Sequence, residues 1–261
     1  MRISDAFRHK PLLIIYICAG DPSPEATPLL AKKIADAGAD IIELGLPHSD
    51  PVADGPTIQA ASQRAIEAGM NTDLYFKVAS AADVNIPKIF MGYYNMIYAR
   101  GLDKFAEDCV RSGISGMIVP DLPPEEAAPL KWACENNNID LIFLIAPNTP
   151  KDRIAKILRE TSGFVYLVAR PGVTGAKSDL LNDTRDLVAN VSGNLPKAVG
   201  FGISMPEQAE EIICAGADAI IVGSACIDLI AERKYEELTT LIKKMKQAIK
   251  TAGKGKTPIV C

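Results

Sequence analysis

The segments ADAGADIIELG (residues 35–45) and ICAGADAIIVG (residues 213–223) render one pattern twice: a helix end, an A-G-A-D turn and a short run into glycine. A helix-to-strand unit that recurs near both ends of a chain suits an architecture built from repeated units. Working outward from these segments, short runs rich in Ile, Val, Leu and Phe alternate with longer amphipathic stretches. That is the pattern of parallel strands covered by helices. Strands are expected at residues 12–17, 41–44, 88–91, 116–119, 140–144, 164–168, 198–201 and 219–222. Helices are expected at 26–37, 57–68, 73–82, 102–112, 124–136, 150–161, 180–190, 206–215 and 235–251. Several open on a cap followed by proline or an acid, as in Ser204-Met205-Pro206-Glu207. The length of 261 residues suits one α/β barrel, a fold of about 250 residues, so the expectation is a single-domain (β/α)8 TIM barrel over residues 1–261. The competing architecture, an open doubly wound sheet, would place G-x-G-x-x-G after its first strand. This chain has Ala19-Gly20-Asp21-Pro22 there.

Composition narrows the function classes. With 48% hydrophobic residues there is material for one large core, and no window is low in complexity. A net charge of -4 offers no footprint for a nucleic-acid backbone or an anionic membrane. No run approaches the ~20 apolar residues of a membrane span. Arg2, Arg8 and Lys10 ahead of the apolar run 12–19 superficially resemble a secretory signal, but strand-then-helix grammar resumes at once and favours a buried first strand. The six cysteines form no CxxC pair and no zinc spacing, so reduced thiols and a cytoplasmic location are expected. Two histidines, His9 and His48, are too few for a histidine-rich metal site, and no metal is expected. Carboxylate chemistry is the natural option left.

Barrel active sites lie where strands end and βα loops begin. Gly200-Phe201-Gly202-Ile203-Ser204 closes the seventh strand and Gly223-Ser224 the eighth, each followed by a helical start. Glycines there admit backbone N–H groups to a dianion, and a helix N-terminus adds about half a positive charge. Either loop alone could be a tight turn; together on adjacent strands they point to phosphate, with Gly175 a further contributor from the sixth loop. The stretch IIELGLPHSDPVADGPTIQ (residues 41–59) leaves the second strand as a long loop. Glu43 sits inside an apolar run, where a charge is costly unless paired or functional. Asp50-Pro51 and Asp54-Gly55 read equally as turn dipeptides, yet a strand carboxylate with a second one reaching back would suit a general acid/base pair. Asp121 reads as a cap for the helix after Pro123-Pro124, and the lysines at 243, 244, 246, 250, 254 and 256 as a solvated face.

The 41–59 stretch resembles the signature of the tryptophan synthase alpha chain family, E-L-G-x-P-x-S-D-P-x-A-D-G-P-x-I-Q, and the resemblance covers essentially the whole chain. Ala19-Gly20-Asp21-Pro22, Tyr93-Tyr94-Asn95, Asp121-Leu122-Pro123, Arg170-Pro171-Gly172-Val173-Thr174-Gly175 and the Gly200–Ser204 loop follow in family order. The resemblance implies retro-aldol cleavage of indole-3-glycerol phosphate to indole and glyceraldehyde 3-phosphate. It implies Glu43 as general acid/base, with a raised pKa, and Asp54 as the ionised carboxylate facing the indole N–H. Tyr16, Met91, Tyr93, Ile118 and Tyr166 match pocket-lining positions, and 170–177 matches a mobile lid whose Thr174 approaches Asp54. Gly175, Gly202, Ile203, Gly223 and Ser224 are the implied phosphate site. The implied partner is a tryptophan synthase beta chain carrying pyridoxal phosphate, in an alpha2-beta2 tetramer that receives the indole, with Asp50, Pro51 and Asn95 as interface candidates. No cofactor is implied for this chain itself.

The sequence departs from the family at five positions. His48 stands where phenylalanine is usual, Cys18 for threonine, Ile15 for proline, Gly92 for a larger residue and Met96 for proline. His48 reads as an idle loop histidine or as a pH sensor near the site. Competing functions are a free-standing lyase that releases indole, a non-catalytic phosphate-binding barrel, which would have lost its acid/base pair, and another phosphate-binding barrel enzyme, which would lack the long second loop.

Overall fold

A computed structural model describes residues 2–169, 177–200 and 202–254. Its strands are β1 (Leu12–Cys18), β2 (Ile41–Gly45), β3 (Lys88–Met91), β4 (Ile114–Ile118), β5 (Asp140–Ile142), β6 (Leu144–Ile145), β7 (Val165–Val168), β8 (Lys197–Gly200) and β9 (Ala219–Val222). They pair in parallel in the order β5-β4-β3-β2-β1-β9-β8-β7-β6. The expected strand at 140–144 is interrupted at Phe143: Gly116 to Ile118 pair with β5, whereas β6 pairs with Tyr166 and Leu167 of β7. The Phe143 carbonyl accepts from Tyr166 N at 3.1 Å and carries the ladder across the break. The two ends of the sheet are thus two halves of one extended segment, and the sheet closes into a (β/α) TIM barrel. Closure rules out the open doubly wound alternative.

The repeated A-G-A-D segments make the same turn. Gly38 and Gly216 both take φ +111°, the left-handed conformation that glycine adopts without a Cβ clash. Gly38 N bonds to Ala35 O and Ala39 N to Ile34 O; Gly216 N and Ala217 N repeat this on Ile213 O and Ile212 O. Each aspartate then clamps a neighbouring strand. Asp40 N donates to Leu13 O at 2.8 Å while its carboxylate accepts from Leu13 N at 2.7 Å. Asp218 does the same to Lys197, at 2.8 and 3.0 Å.

Side chains fill the barrel from its lower end. Ile3, in the short helix Ile3–Ala6, reaches Gly116, where any Cβ would overlap its Cδ1. Phe7 packs on Phe164 at 5.6 Å between ring centroids. Outside β3, Tyr75, Phe76, Phe90 and Phe105 meet edge to face, contacts worth about 0.5–1.5 kcal/mol each beyond simple burial. Among the described residues no helix is long and apolar enough to cross a membrane.

Some sequence expectations need correction. The helix expected at 124–136 runs Ala128–Asn136, because Pro123 and Pro124 carbonyls first accept turn bonds from Glu126 and Ala127. Asp121 caps a different helix: its carboxylate accepts from Tyr94 N at the start of Tyr94–Arg100. Lys246 is not on a solvated face. Its stem lies over Gly38 and its ammonium pairs with Asp40, whereas Lys243, Lys244 and Lys250 are exposed. The lysine at 256 lies outside the described residues.

Candidate active site

Strand register assembles the site. Pairing of β1 with β2 sets Tyr16 beside Glu43. Pairing of β1 with β9 sets Ile15 beside Val222, so Gly223 comes level with Tyr16. Tyr16, Glu43, Met91, Tyr166 and Ile221 line one cavity of about 470 Å³, together with Asp54 from the loop after β2. Two glycines make room for two phenols: a Cβ at Gly45 would strike the Tyr16 hydroxyl, and one at Gly200 the Tyr166 hydroxyl. Burial holds both phenols above their ordinary pKa, so they stay neutral.

Glu43 is 2% exposed, and its Oε2 has no hydrogen-bond partner among the described residues. An ionised carboxylate in such a place is expensive, and the group answers by keeping its proton. Burial first, then the negative charge of Asp54, pushes its pKa up to about 8. Asp54 is half-buried and better served. Its Oδ2 accepts from the Tyr93 hydroxyl at 2.9 Å, and that hydroxyl accepts in turn from Ala53 N at 3.0 Å. Burial raises the Asp54 pKa, and the Tyr93 bond works against that rise. The pair is therefore asymmetric, a protonated acid facing a carboxylate that has a donor of its own. Environments that drive two carboxyls apart assign one as acid and the other as anion.

At the opposite wall, Gly202 has φ +76° and open space where a Cβ would be, and Gly223 caps the helix Ser224–Ala231. Gly202, Gly223 and Ser224 all line the cavity, and a helix start beside a glycine turn is suited to a dianion. Ser204 N and Met205 N are already committed to Gln208 Oε1, at 2.9 and 3.0 Å, and Ile203 is buried. Thr174, Gly175, the remaining lid positions through 176, and Phe201 lie outside the described residues.

Other expected positions stand behind the cavity. Tyr93 is buried and backs Asp54, and Ile118 is buried beside Met91 in register. Asp50 and Asn95 are exposed and Pro51 is half-buried, and His48 joins the first to the last: Asp50 N donates to His48 Nδ1 at 2.9 Å, and His48 Nε2 meets Asn95 Oδ1 at 3.1 Å. The sequence reading missed Val52, Ala53, Pro56, Thr57 and Ile58, which bring the second loop over the cavity, and also Ile221. Only Ile221 carried a signal, as the residue equivalent to Glu43 in the repeated segment. Among the described residues no three His, Cys, Asp or Glu side chains are grouped to hold a metal.

Comparison with known proteins agrees with this fold. The family model for the tryptophan synthase alpha chain matches residues 4–255. The alpha chain of Methanosarcina barkeri is 55% identical over 243 residues, 92% of each chain. That of Natronomonas pharaonis is 42% identical over 99% of this chain and 98% of its own. The crystal structure of tryptophan synthase subunit alpha from Legionella pneumophila superposes with a TM-score of 0.85 at 34% identity, covering 96% of this chain and 98% of that one. A chain in the structure of Mycobacterium tuberculosis tryptophan synthase gives 0.87 at 33% identity, covering 95% and 98%. The family model over residues 4–255, together with relatives that match along nearly the whole length, places this barrel, with its buried acid, tethered carboxylate and glycine-lined cavity, in the tryptophan synthase alpha chain family.

Proposed function

We propose that Glu43 and Asp54 carry the reaction of this family, the cleavage of indole-3-glycerol phosphate in tryptophan biosynthesis. The phosphate is held by backbone N–H groups at Gly202, Ile203, Gly223 and Ser224, with Gly175 from outside the described residues. Tyr16, Met91 and Tyr166 wall the indole ring, with Ile118 and Tyr93 supporting them. Protonated Glu43 delivers its proton to the ring carbon that bears the side chain. The Asp54 carboxylate accepts the indole N–H and balances the cation formed at nitrogen. Glu43, now a carboxylate, removes the proton of the adjacent hydroxyl. The carbon–carbon bond breaks, its electrons neutralise the ring, and indole leaves with glyceraldehyde 3-phosphate. Glu43 ends protonated as it began; Thr174, the expected neighbour of Asp54, lies outside the described residues.

The observation that carries this reading is the proton-retaining carboxyl group of Glu43, unpartnered among the described residues, in one cavity with the tethered Asp54. Indole release from indole-3-glycerol phosphate tests it. Glu43→Gln and Asp54→Asn are each expected to lower kcat by about 10²–10⁴ with the fold retained by circular dichroism. A Glu43→Gln enzyme that still released indole at the parental rate would refute the acid/base role.

The same reading gives the chain a beta partner that holds pyridoxal phosphate and takes the indole, in an alpha2-beta2 tetramer in the cytoplasm, with Asp50, Pro51 and Asn95 at the contact. No cofactor of its own is required, and residues 1–261 work as one domain. A free-standing lyase would use the same cavity. Co-purification with a beta chain, and stimulation of indole release by one, separates the two.

A further inference from the structure

His48 makes three contacts, to Asp50, Asn95 and Tyr93, and the last leads on to Asp54. Its Nδ1 accepts from Asp50 N at 2.9 Å, so that nitrogen carries no proton. A neutral imidazole must then bear its proton on Nε2, which donates to Asn95 Oδ1 at 3.1 Å. Each bond fixes the other, and the tautomer follows from the pair. The imidazole held between them lies against the Tyr93 ring, with centroids 4.8 Å apart and planes tilted by 45°. Tyr93 is buried, and its hydroxyl is the donor to Asp54 Oδ2. His48 and Asp54 belong to the loop after β2, while Tyr93 and Asn95 belong to the segment after β3. The histidine therefore fastens two neighbouring loops beside the Tyr93 ring.

We infer that His48 is a positioning residue for Asp54: hydrogen-bonded as the Nε2–H imidazole between Asp50 N and Asn95, it holds the Tyr93 ring so that the phenol keeps Asp54 turned to the substrate. This rests on the role given to Asp54 above. His48 touches no reacting atom in this scheme and acts only through Tyr93.

Alanine removes ring and bonds together, and phenylalanine keeps the ring while leaving Asp50 N and Asn95 Oδ1 without their partner. A misplacement of 1 Å costs up to about 10²-fold in rate. His48→Ala is therefore expected to lower kcat roughly tenfold with KM within about twofold, because Asp54 acts on the charge that develops in the transition state. His48→Phe should fall between Ala and the parent. The decisive measurement is a double-mutant cycle on the full-length chain, assayed alone and with a tryptophan synthase beta chain. In a Tyr93→Phe background, where Asp54 has lost its donor, His48→Ala should cost no further kcat.

An equal cost of His48→Ala in both backgrounds would overturn the route through Tyr93. A His48→Phe enzyme indistinguishable from the parent would overturn the role of the two hydrogen bonds. Asp54→Asn, run alongside, keeps the underlying reading separate. If it is inactive while His48→Ala matches the parent, only the present inference fails, and if it is fully active, the role of Asp54 fails first.

Discussion

Glu43 occupies the place that Ile221 holds in the other copy of the A-G-A-D unit, and both side chains face the same cavity. One position in a repeated apolar run has been exchanged for a carboxyl group, and the cost of burying it is what supplies the acid. The same exchange leaves a mark on stability. Glu43 keeps its proton up to about pH 8 in the folded chain, whereas an unfolded glutamate loses it near pH 4.3. Between those values the unfolded chain binds one proton fewer, so stability falls as pH rises, by about 1.4 kcal/mol per unit, and levels off above pH 8. Urea unfolding from pH 5 to 9 should show this slope in the parent chain and its absence in Glu43→Gln; parallel curves would contradict the burial of an unpaired acid. Glu43 was legible as a charge inside an apolar run. The donor that holds Asp54 was not, because Tyr93 comes from the next loop and reads in sequence as one more pocket aromatic. His48 looked idle for the same reason, since both partners that fix its tautomer are visible only in space.

The helix-to-strand turns were the most readable elements, because their chemistry is local: a left-handed glycine ends the helix, and the aspartate two residues later clamps the adjacent strand. Lysines at strand starts, Lys88 buried and Lys197 half-buried, do a related job. Lys88 Nζ donates to Ala79 O and Ala82 O at 2.5 and 2.9 Å, and Lys197 Nζ to Val188 O and Val191 O at 2.8 and 3.4 Å, closing the ends of the helices before them. The break at Phe143 escaped the sequence reading, since an unbroken apolar run does not reveal that its two halves bond to different neighbours. The anion pocket proposed above belongs to this scale too, being made of backbone rather than of side chains. Gly202→Asp would force a side chain into a φ +76° turn and set a carboxylate beside the phosphate proposed there. Steady-state kinetics should show KM raised at least about tenfold, the size of a lost charge-assisted contact. An unchanged KM would remove Gly202 from the site.

Across the whole molecule the barrel is closed twice, by the split segment around Phe143 and by the last helix. Asp40, at the first A-G-A-D turn, joins Leu13 N and Lys246, the latter 206 residues away. The exposed pair between Lys33 and Glu236 spans a similar distance, yet solvent screening leaves such contacts worth about 0–1 kcal/mol. Asp40→Ala strands a strand N–H and a partly buried ammonium, so urea unfolding should register a loss of about 1–3 kcal/mol with KM unchanged. A loss no larger than that of Glu236→Ala would mean that the last helix is held by its apolar face alone. Chain order was enough to set the parallel barrel, the acid in β2 and the glycine turns at the cavity, because periodicity, burial cost and backbone freedom act over a few residues and leave their trace in composition. Proximity has no such trace. Which loop covers the cavity, that Tyr93 bonds Asp54, that His48 lies against Tyr93 and that Lys246 pairs with Asp40 depend on strand register and barrel closure, which bring groups from separate loops within reach only after the ring has formed.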